Sequence, residues 1–166
     1  MGTFRYGLKS LIISELSSDG ITPVNPLDCT NYVFNKTFEI TESEASKTEL
    51  KAENNIYSSI ILKEAAPETA KVVLFNFPLA LKASLKGGTS ADLDNKTTLQ
   101  RATENQIIER QITMVTKDNV EIKYVRCFVD AVKDHKANDA DVEKLNLTMI
   151  PMLPSDGSAP IVEKEL

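Results

Sequence analysis

Residues 106–132 read QIIERQITMVTKDNVEIKYVRCFVDAV, and this stretch decides the fold. Two segments rich in alternating apolar residues, 106–116 and 120–132, flank Lys117-Asp118-Asn119, and Asp and Asn both accept turn conformations. The pattern predicts a β-hairpin. Within the second segment the apolar set shifts parity, running Val120, Ile122, Tyr124 and then Val125, Cys127, Val129, Ala131. Such a shift predicts a β-bulge or a strand that is buried on both faces.

Working outward from this hairpin, five more segments have the composition or the period of strands. They are Phe4 to Leu16, Cys29 to Ile40, Ile56 to Leu62, Lys71 to Phe77 and Val142 to Met152. About seven strands with one short helix predict a mainly β protein, a β-sandwich or barrel-like domain. No repeat and no low-complexity linker divides the chain, so we expect residues 1–166 to form one domain.

The one predicted helix covers about residues 78–86. Pro78 suits the first helical turn because its missing N–H would be unpaired there. Leu81 and Leu85 lie four residues apart and predict one apolar stripe. Gly87 and Gly88 supply the left-handed stop at the end of the helix.

Three stretches lack a strand pattern. The mixed-charge stretch Thr41 to Asn55 predicts a solvated loop or an extended arm, with a helix over Glu44 to Ala52 as the alternative. Ser90 to Thr103 is polar and predicts a loop. The last stretch, Ile161 to Leu166, predicts a short charged tail.

The composition excludes several functional classes. No apolar run approaches the length of about eighteen residues that a transmembrane helix needs, and the first residues lack the apolar run of a signal peptide. We therefore expect a protein that is made in the cytosol and does not contact a membrane. The net charge is −5, and Lys and Arg are scattered among acidic residues, which disfavours a protein that grips nucleic-acid phosphates.

Catalytic and metal-binding patterns are missing from the sequence. His135 is the single histidine and lies in a charged run without triad or ligand partners. The paired acids Asp92/Asp94 and Asp139/Asp141 do not continue into a calcium-binding loop. Cys29 and Cys127 are far apart in sequence and predict two reduced, partly buried thiols. The sequence therefore predicts a protein that is not an enzyme and carries no cofactor or metal.

Three stretches together resemble the major tail tube proteins of long-tailed bacteriophages. Tyr6 to Ile13 followed by Asp19-Gly20 is similar to the opening strand and turn of that family. Val72 to Thr89 resembles its strand, short helix and Gly-Gly stop. Leu145 to Gly157 resembles its last strand, which ends in a proline-bounded turn.

The resemblance implies a structural virion protein that closes into hexameric rings, and these rings stack into a hollow tail tube through which DNA passes. It implies that the protein is assembled in the host cytoplasm and ends in the virion tail. The implied partners are other copies of the chain and tail proteins such as the tape measure, the terminator or a sheath. DNA would pass through the lumen without specific binding.

Ring closure is a heterologous contact and needs two different complementary surfaces on each subunit. Strands that are apolar on both faces could supply such surfaces. A contact between rings needs a projecting element, and the mixed-charge stretch is the candidate. Its residues Glu42, Glu44, Lys47, Glu49, Leu50, Lys51 and Glu53 are the candidate inter-ring arm.

Two alternatives stay open from the sequence. One is the inner tube of a bacterial contractile injection system, which follows the same physics with a different cargo. The other is a non-enzymatic β-sandwich module that binds carbohydrate or protein. Modules of that kind usually present exposed aromatic residues, and the aromatic content here is 6% with no tryptophan.

Overall fold

The computed structural model describes residues 7–50, 53, 60–63, 68–104, 106–136 and 141–166. In chain order the elements are β1 (Leu8–Leu16), β2 (Pro23–Asp28), a 3-10 turn (Thr30–Tyr32), β3 (Glu39–Glu42), β4 (Lys47–Leu50), β5 (Ile60–Lys63), β6 (Glu68–Phe75), α1 (Leu79–Lys86), β7 (Thr89–Leu93), β8 (Lys96–Gln100), β9 (Glu109–Thr116), β10 (Val120–Asp134), β11 (Lys144–Pro151) and β12 (Ile161–Glu165). The prediction of a mainly β protein with one short α-helix is confirmed for the described residues.

Eight strands form one antiparallel sheet in the order β2-β1-β9-β10-β11-β6-β3, and β12 pairs with β10. β10 holds two neighbours along one side, because its first part pairs with β12 and its second part with β11. Near the two ends of this order, the Cys29 N–H donates to the carbonyl of Leu11 and the Phe34 N–H donates to the carbonyl of Val73. The segment from Cys29 to Phe34 therefore connects β1 to β6 through these two hydrogen bonds. The described strands do not close into a barrel.

One core lies against one face of the sheet. Buried side chains alternate along each central strand, as at Leu145, Leu147 and Met149 of β11. Alternation follows from the strand, in which successive side chains point to opposite faces. The same face of β1, β6, β9 and β10 and the helix residues Leu81 and Leu85 contribute to this single cluster.

The central hairpin is confirmed, including its bulge. β9 and β10 pair around the predicted turn, and Asn119 takes a positive φ of 62°. The ladder register shifts between Tyr124 and Cys127. That shift places two residues of opposite parity in the same core, and both are fully buried. The bulge therefore explains the change in sequence parity.

The prediction of one strand over Cys29 to Ile40 is wrong. Asp28 accepts hydrogen bonds from the N–H (2.9 Å) and the hydroxyl (2.5 Å) of Thr30 and so starts a 3-10 turn. Lys36 has a φ of 60° and reverses the chain again. The strand pattern is matched only at its end, where β3 begins at Glu39.

Two more expectations are corrected. The stretch predicted as a loop after α1 forms the hairpin β7–β8, with Asp94 and Asn95 at positive φ in its turn. The predicted charged tail forms β12, which pairs with Val120–Tyr124 of β10. Charged residues are compatible with this position because β12 lies at a sheet edge.

The remaining strand predictions shift slightly. β1 begins at Leu8, β6 covers Glu68–Phe75 and β11 covers Lys144–Pro151. Of the predicted strand Ile56 to Leu62, residues 60–62 belong to β5 and residues 56–59 lie outside the described residues. The start of the first predicted strand, residues 4–6, lies outside them as well.

Candidate assembly surfaces

The chain leaves the main sheet between β3 and β6. Glu42, the last residue of β3, pairs in register with Glu68, the first residue of β6. The chain therefore leaves the sheet and returns to it at neighbouring positions. We call residues 43–67 the arm, and its described strands β4 and β5 are not part of the main sheet.

The described part of the arm is a β-hairpin. β4 pairs antiparallel with β5, with Leu50 opposite Ile60, and the two strands form a sheet of their own. All four side chains of β4 are exposed, including the large apolar Leu50 at 48%. The alternative of a helix from Glu44 is wrong over β4, because pairing with the β-branched Ile60 and Ile61 favours an extended strand.

The seven candidate arm residues do not all belong to the arm, because Glu42 is paired in the main sheet. Glu42 ends β3, Glu44 lies in the connection, Lys47, Glu49 and Leu50 lie on β4, and Glu53 lies in a turn. Lys51 lies outside the described residues. The six described side chains are all exposed, so they are available to a partner.

The predicted helix belongs to the core of the subunit. Leu81 and Leu85 are 3% and 1% exposed, which confirms the apolar stripe. Pro78 has an extended backbone and is the N-cap residue, whereas the prediction placed it in the first helical turn. Gly87 is the C-cap at a φ of 82°, and Gly88 follows at 115°. The helix therefore begins one residue later than predicted, and both glycines follow it at positive φ, but Gly87 has a ψ of 159° and is not in the left-handed helical conformation that was predicted.

Three cationic side chains hold α1 against the sheet through an ion pair and hydrogen bonds. Lys82 is almost fully buried and forms an ion pair with Glu143. The Lys86 ammonium donates to the carbonyl of Ala131 over 2.6 Å, and the Arg110 guanidinium donates to the carbonyl of Ser84 over 2.6 Å. The Lys82 ammonium holds the pKa of the Glu143 carboxyl below its usual value. These pairs could not be predicted from the sequence, because the two residues of each pair are distant along the chain.

A second exposed hairpin, β7–β8, stands beside α1 and was missed in the sequence. All five residues of β7 are exposed, so the strand has no buried face and no alternating pattern. The one local sequence feature that indicates this hairpin is its turn, Asp94-Asn95, because these residue types tolerate positive φ. A groove of about 530 Å³ lies between this hairpin, the end of α1 and β10. Exposed Ile107, at 77%, borders that groove.

The free edges of the main sheet carry residues that oppose pairing with another strand. β2 contains Pro23 and Pro26, which lack the N–H that an added strand would need. β3 contains two glutamates, and β12 contains the charged run Glu163-Lys164-Glu165. Prolines and charges of this kind limit edge-to-edge association. Side-chain contacts are therefore the better route to assembly.

A groove lined by four glutamates opens where β3 and β6 face β10 and β12. The four are Glu39, Glu42, Glu68 and Glu163. At its base the buried Tyr124 hydroxyl donates to Glu68 over 2.5 Å. Burial and then the Glu68 carboxylate raise the pKa of Tyr124 above its usual range. This end of the molecule is therefore strongly acidic.

The residues considered for chemistry lie apart. His135 is exposed, Asp92 accepts a hydrogen bond from Thr97, and Asp139 lies outside the described residues. In the described part of the chain no three His, Cys, Asp or Glu side chains form a group that could hold a metal ion. No helix in that part is long and apolar enough to cross a membrane. That the protein is not an enzyme stays a prediction.

Comparisons with known proteins show similarity to solved structures alone, and that similarity is distant. No protein-family model matches the chain, and no curated protein matches it. One similar solved structure is described as "Cryo-EM structure of the anti-feeding prophage (AFP) baseplate, 6-fold symmetrised". The two chains share 13% identity with a TM-score of 0.48, over 99% of this chain and 98% of that one. A similarity this distant does not identify a function.

Proposed function

We propose that this protein is a structural subunit that assembles with copies of itself into stacked rings, which form a tail tube for the passage of DNA. The geometry of the arm carries the proposal. The chain leaves the sheet at Glu42 and returns at Glu68, so the fold of the subunit does not need the excursion between them. β4 exposes all four of its side chains, including Leu50, and an exposed apolar side chain on such a strand is suited to contact with a neighbouring subunit.

A second support is the number of separate exposed surfaces. The hairpin β7–β8 with Leu93 at 54% exposure is distinct from the arm, and the groove beside it is bordered by Ile107. A heterologous contact, which closes rings, requires two unlike surfaces on each subunit. The subunit has unlike surfaces of this kind on different elements.

The sequence resemblance supports the same assignment. Its three stretches fold as β1 with its turn, as β6 followed by α1 and the glycine stop, and as β11 with its following turn. Six copies would carry a charge of about −30 at neutral pH, from −5 on each. Acidic surfaces repel phosphates, so a lumen lined by them would let DNA slide.

Negative-stain microscopy at rising protein concentration tests the proposal. We expect rings or tubes of uniform width, and sedimentation of the same samples should shift from monomer to large particles. A protein that stays monomeric at high concentration and binds a glycan would instead be a ligand-binding module. The inner tube of an injection system would give the same particles, and only its cargo would distinguish it.

A further inference from the structure

A pocket rimmed by three lysines opens where β1 begins and where the β9–β10 turn lies. Its volume is about 320 Å³. Lys9, Lys36 and Lys117 come from three different elements, and the apolar side chains Val33, Phe34 and Phe38 also line the pocket. The described lining contains no carboxylate. We call this site the lysine pocket.

Each of the three lysines has its own local contact or backbone conformation. The Lys9 ammonium donates to the Asn119 side chain over 2.7 Å. The stem of Lys117 lies so close to Gly7 that a Cβ on that glycine would be 2.9 Å from the Lys117 Cδ. Lys36 holds a φ of 60°, a conformation that favours glycine, yet a lysine occupies it. Three cationic side chains and no carboxylate in the lining favour an anionic occupant, although the glutamate-lined groove adjoins the pocket at Gly7 and Phe38.

We propose that the lysine pocket receives the acidic arm of a second copy of this chain. The arm carries four glutamates, Glu44, Glu49, Glu53 and Glu64, against three lysines, so its net charge of −1 is opposite in sign to that of the pocket. The exposed Leu50 of the arm matches the apolar side chains of the pocket. This inference rests on the proposed self-assembly and names the surface that the arm contacts.

The apolar lining favours the arm over nucleic acid as the occupant. A phosphate backbone offers charge but no aliphatic side chain to cover Val33 and Phe38, whereas a segment with Glu49 beside Leu50 offers both. Phe34 is 37% exposed, stacks edge-on against Phe75 at 5.3 Å between ring centroids and so is fixed in place. A fixed apolar contact flanked by cations is suited to an acidic peptide segment.

Two charge-reversed proteins test the pairing. One carries Lys36→Glu and Lys117→Glu in the pocket, and the other carries Glu44→Lys and Glu49→Lys in the arm. We expect each alone to need about tenfold more protein for half-maximal assembly than the unmodified chain, which corresponds to the loss of a few ion pairs at a contact. In an equimolar mixture each arm meets a pocket of opposite charge, so we expect assembly to return.

The matched control is Lys136→Glu with Lys164→Glu, which changes the net charge by the same amount at exposed sites outside the pocket and outside the β7–β8 hairpin. We expect it to assemble like the unmodified chain. Lys36→Gly is the second control, because it removes the charge and relieves the backbone together. We expect it to fold with an unchanged or higher Tm and still to assemble less well.

The possible failures are distinguishable. If the unmodified chain forms no particles, the proposed function fails and this inference fails with it. If the chain assembles and the pocket variant assembles equally well, only the lysine pocket proposal is overturned. Binding of duplex DNA that the pocket variant loses, with assembly unchanged, would overturn it too and assign the pocket to phosphates.

Discussion

Cys29 and Cys127 are both free, and each is fully buried in the core. Burial raises the pKa of both thiols to about 12. At pH 8 only about one thiol in ten thousand is then ionised, and the thiolate is the reactive form. We expect a thiol reagent to modify neither residue in the native protein and both in guanidinium chloride. Rapid labelling of the native protein would contradict this placement.

The two partners of the Lys82–Glu143 ion pair beneath α1 should differ in how much their substitution costs the free energy of unfolding. Glu143→Gln leaves the buried Lys82 ammonium without its partner and should lower the free energy of unfolding by about 2–3 kcal/mol at neutral pH. Lys82→Met removes the buried charge itself, and Glu143 keeps Lys133 at 3.9 Å, so its cost should stay below about 1 kcal/mol. Urea denaturation at pH 7 measures both values, and a larger loss for the methionine variant would contradict the assignment.

The same pair sets an acid dependence. The pKa of Glu143 is lowered in the folded state, first by the hydrogen bond from Lys82. Its contribution to stability is therefore full above the unfolded pKa of about 4.3 and is lost as the pH falls through the lower folded value. Glu143→Gln removes the titrating group and Lys82→Met removes the largest cause of the lowering, so each should lose stability less steeply between pH 5 and about pH 3 than the unmodified protein.

At the scale of elements, the junction between α1 and β7 depends on Gly88. It has a φ of 115°, and a Cβ there would lie 2.4 Å from the backbone carbonyl oxygen of Gln100. Gly88→Ala should therefore cost about 2–4 kcal/mol, from strain and from displacement of β8. Gly157 also has a positive φ, but nothing lies within 4 Å of its Cβ position. Gly157→Ala should cost only about 1 kcal/mol, and thermal unfolding of both variants compares them.

Elements with one buried face were predictable from the sequence, and elements without one were not. The parity change between Tyr124 and Cys127 revealed the bulge because both residues must reach one core. β7 and β4 expose every side chain, so neither strand leaves a hydrophobic period in the sequence. The segment around Tyr32 has the apolar period of a strand but does not form one. A 3-10 turn and an isolated bridge bring its apolar residues to the core without a continuous strand.

Of the two candidate surfaces, the arm was predictable from the sequence and the lysine pocket was not. The mixed charge of residues 41–55 predicted an exposed element, because charged residues avoid a core. The lysine pocket was not predictable, since Lys9, Lys36 and Lys117 come together only when β1, the Asn35–Lys36 turn and the β9–β10 turn meet. Which acids face which cations depends on tertiary structure rather than on spacing along the chain.

At the scale of the whole molecule, the arm should be dispensable for folding and necessary for assembly. Glu42 and Glu68 are already paired neighbours on adjacent strands. Replacing residues 43–67 with a short Asn-Gly turn would convert β3 and β6 into an ordinary hairpin and keep the core intact. A shorter loop also costs less closure entropy, so the Tm should stay equal or rise slightly.

The truncated protein should form no tubes at concentrations where the unmodified chain does, because it lacks the element that reaches a neighbouring ring. The matched control keeps the full length of the arm and changes only Leu50→Ser, which removes the exposed apolar contact. That control should fold normally and assemble at an intermediate concentration, since the arm's carboxylates remain. Sedimentation velocity measures the assembled fraction of all three proteins. Tubes of normal width from the truncated protein would show that the arm is not the contact between rings.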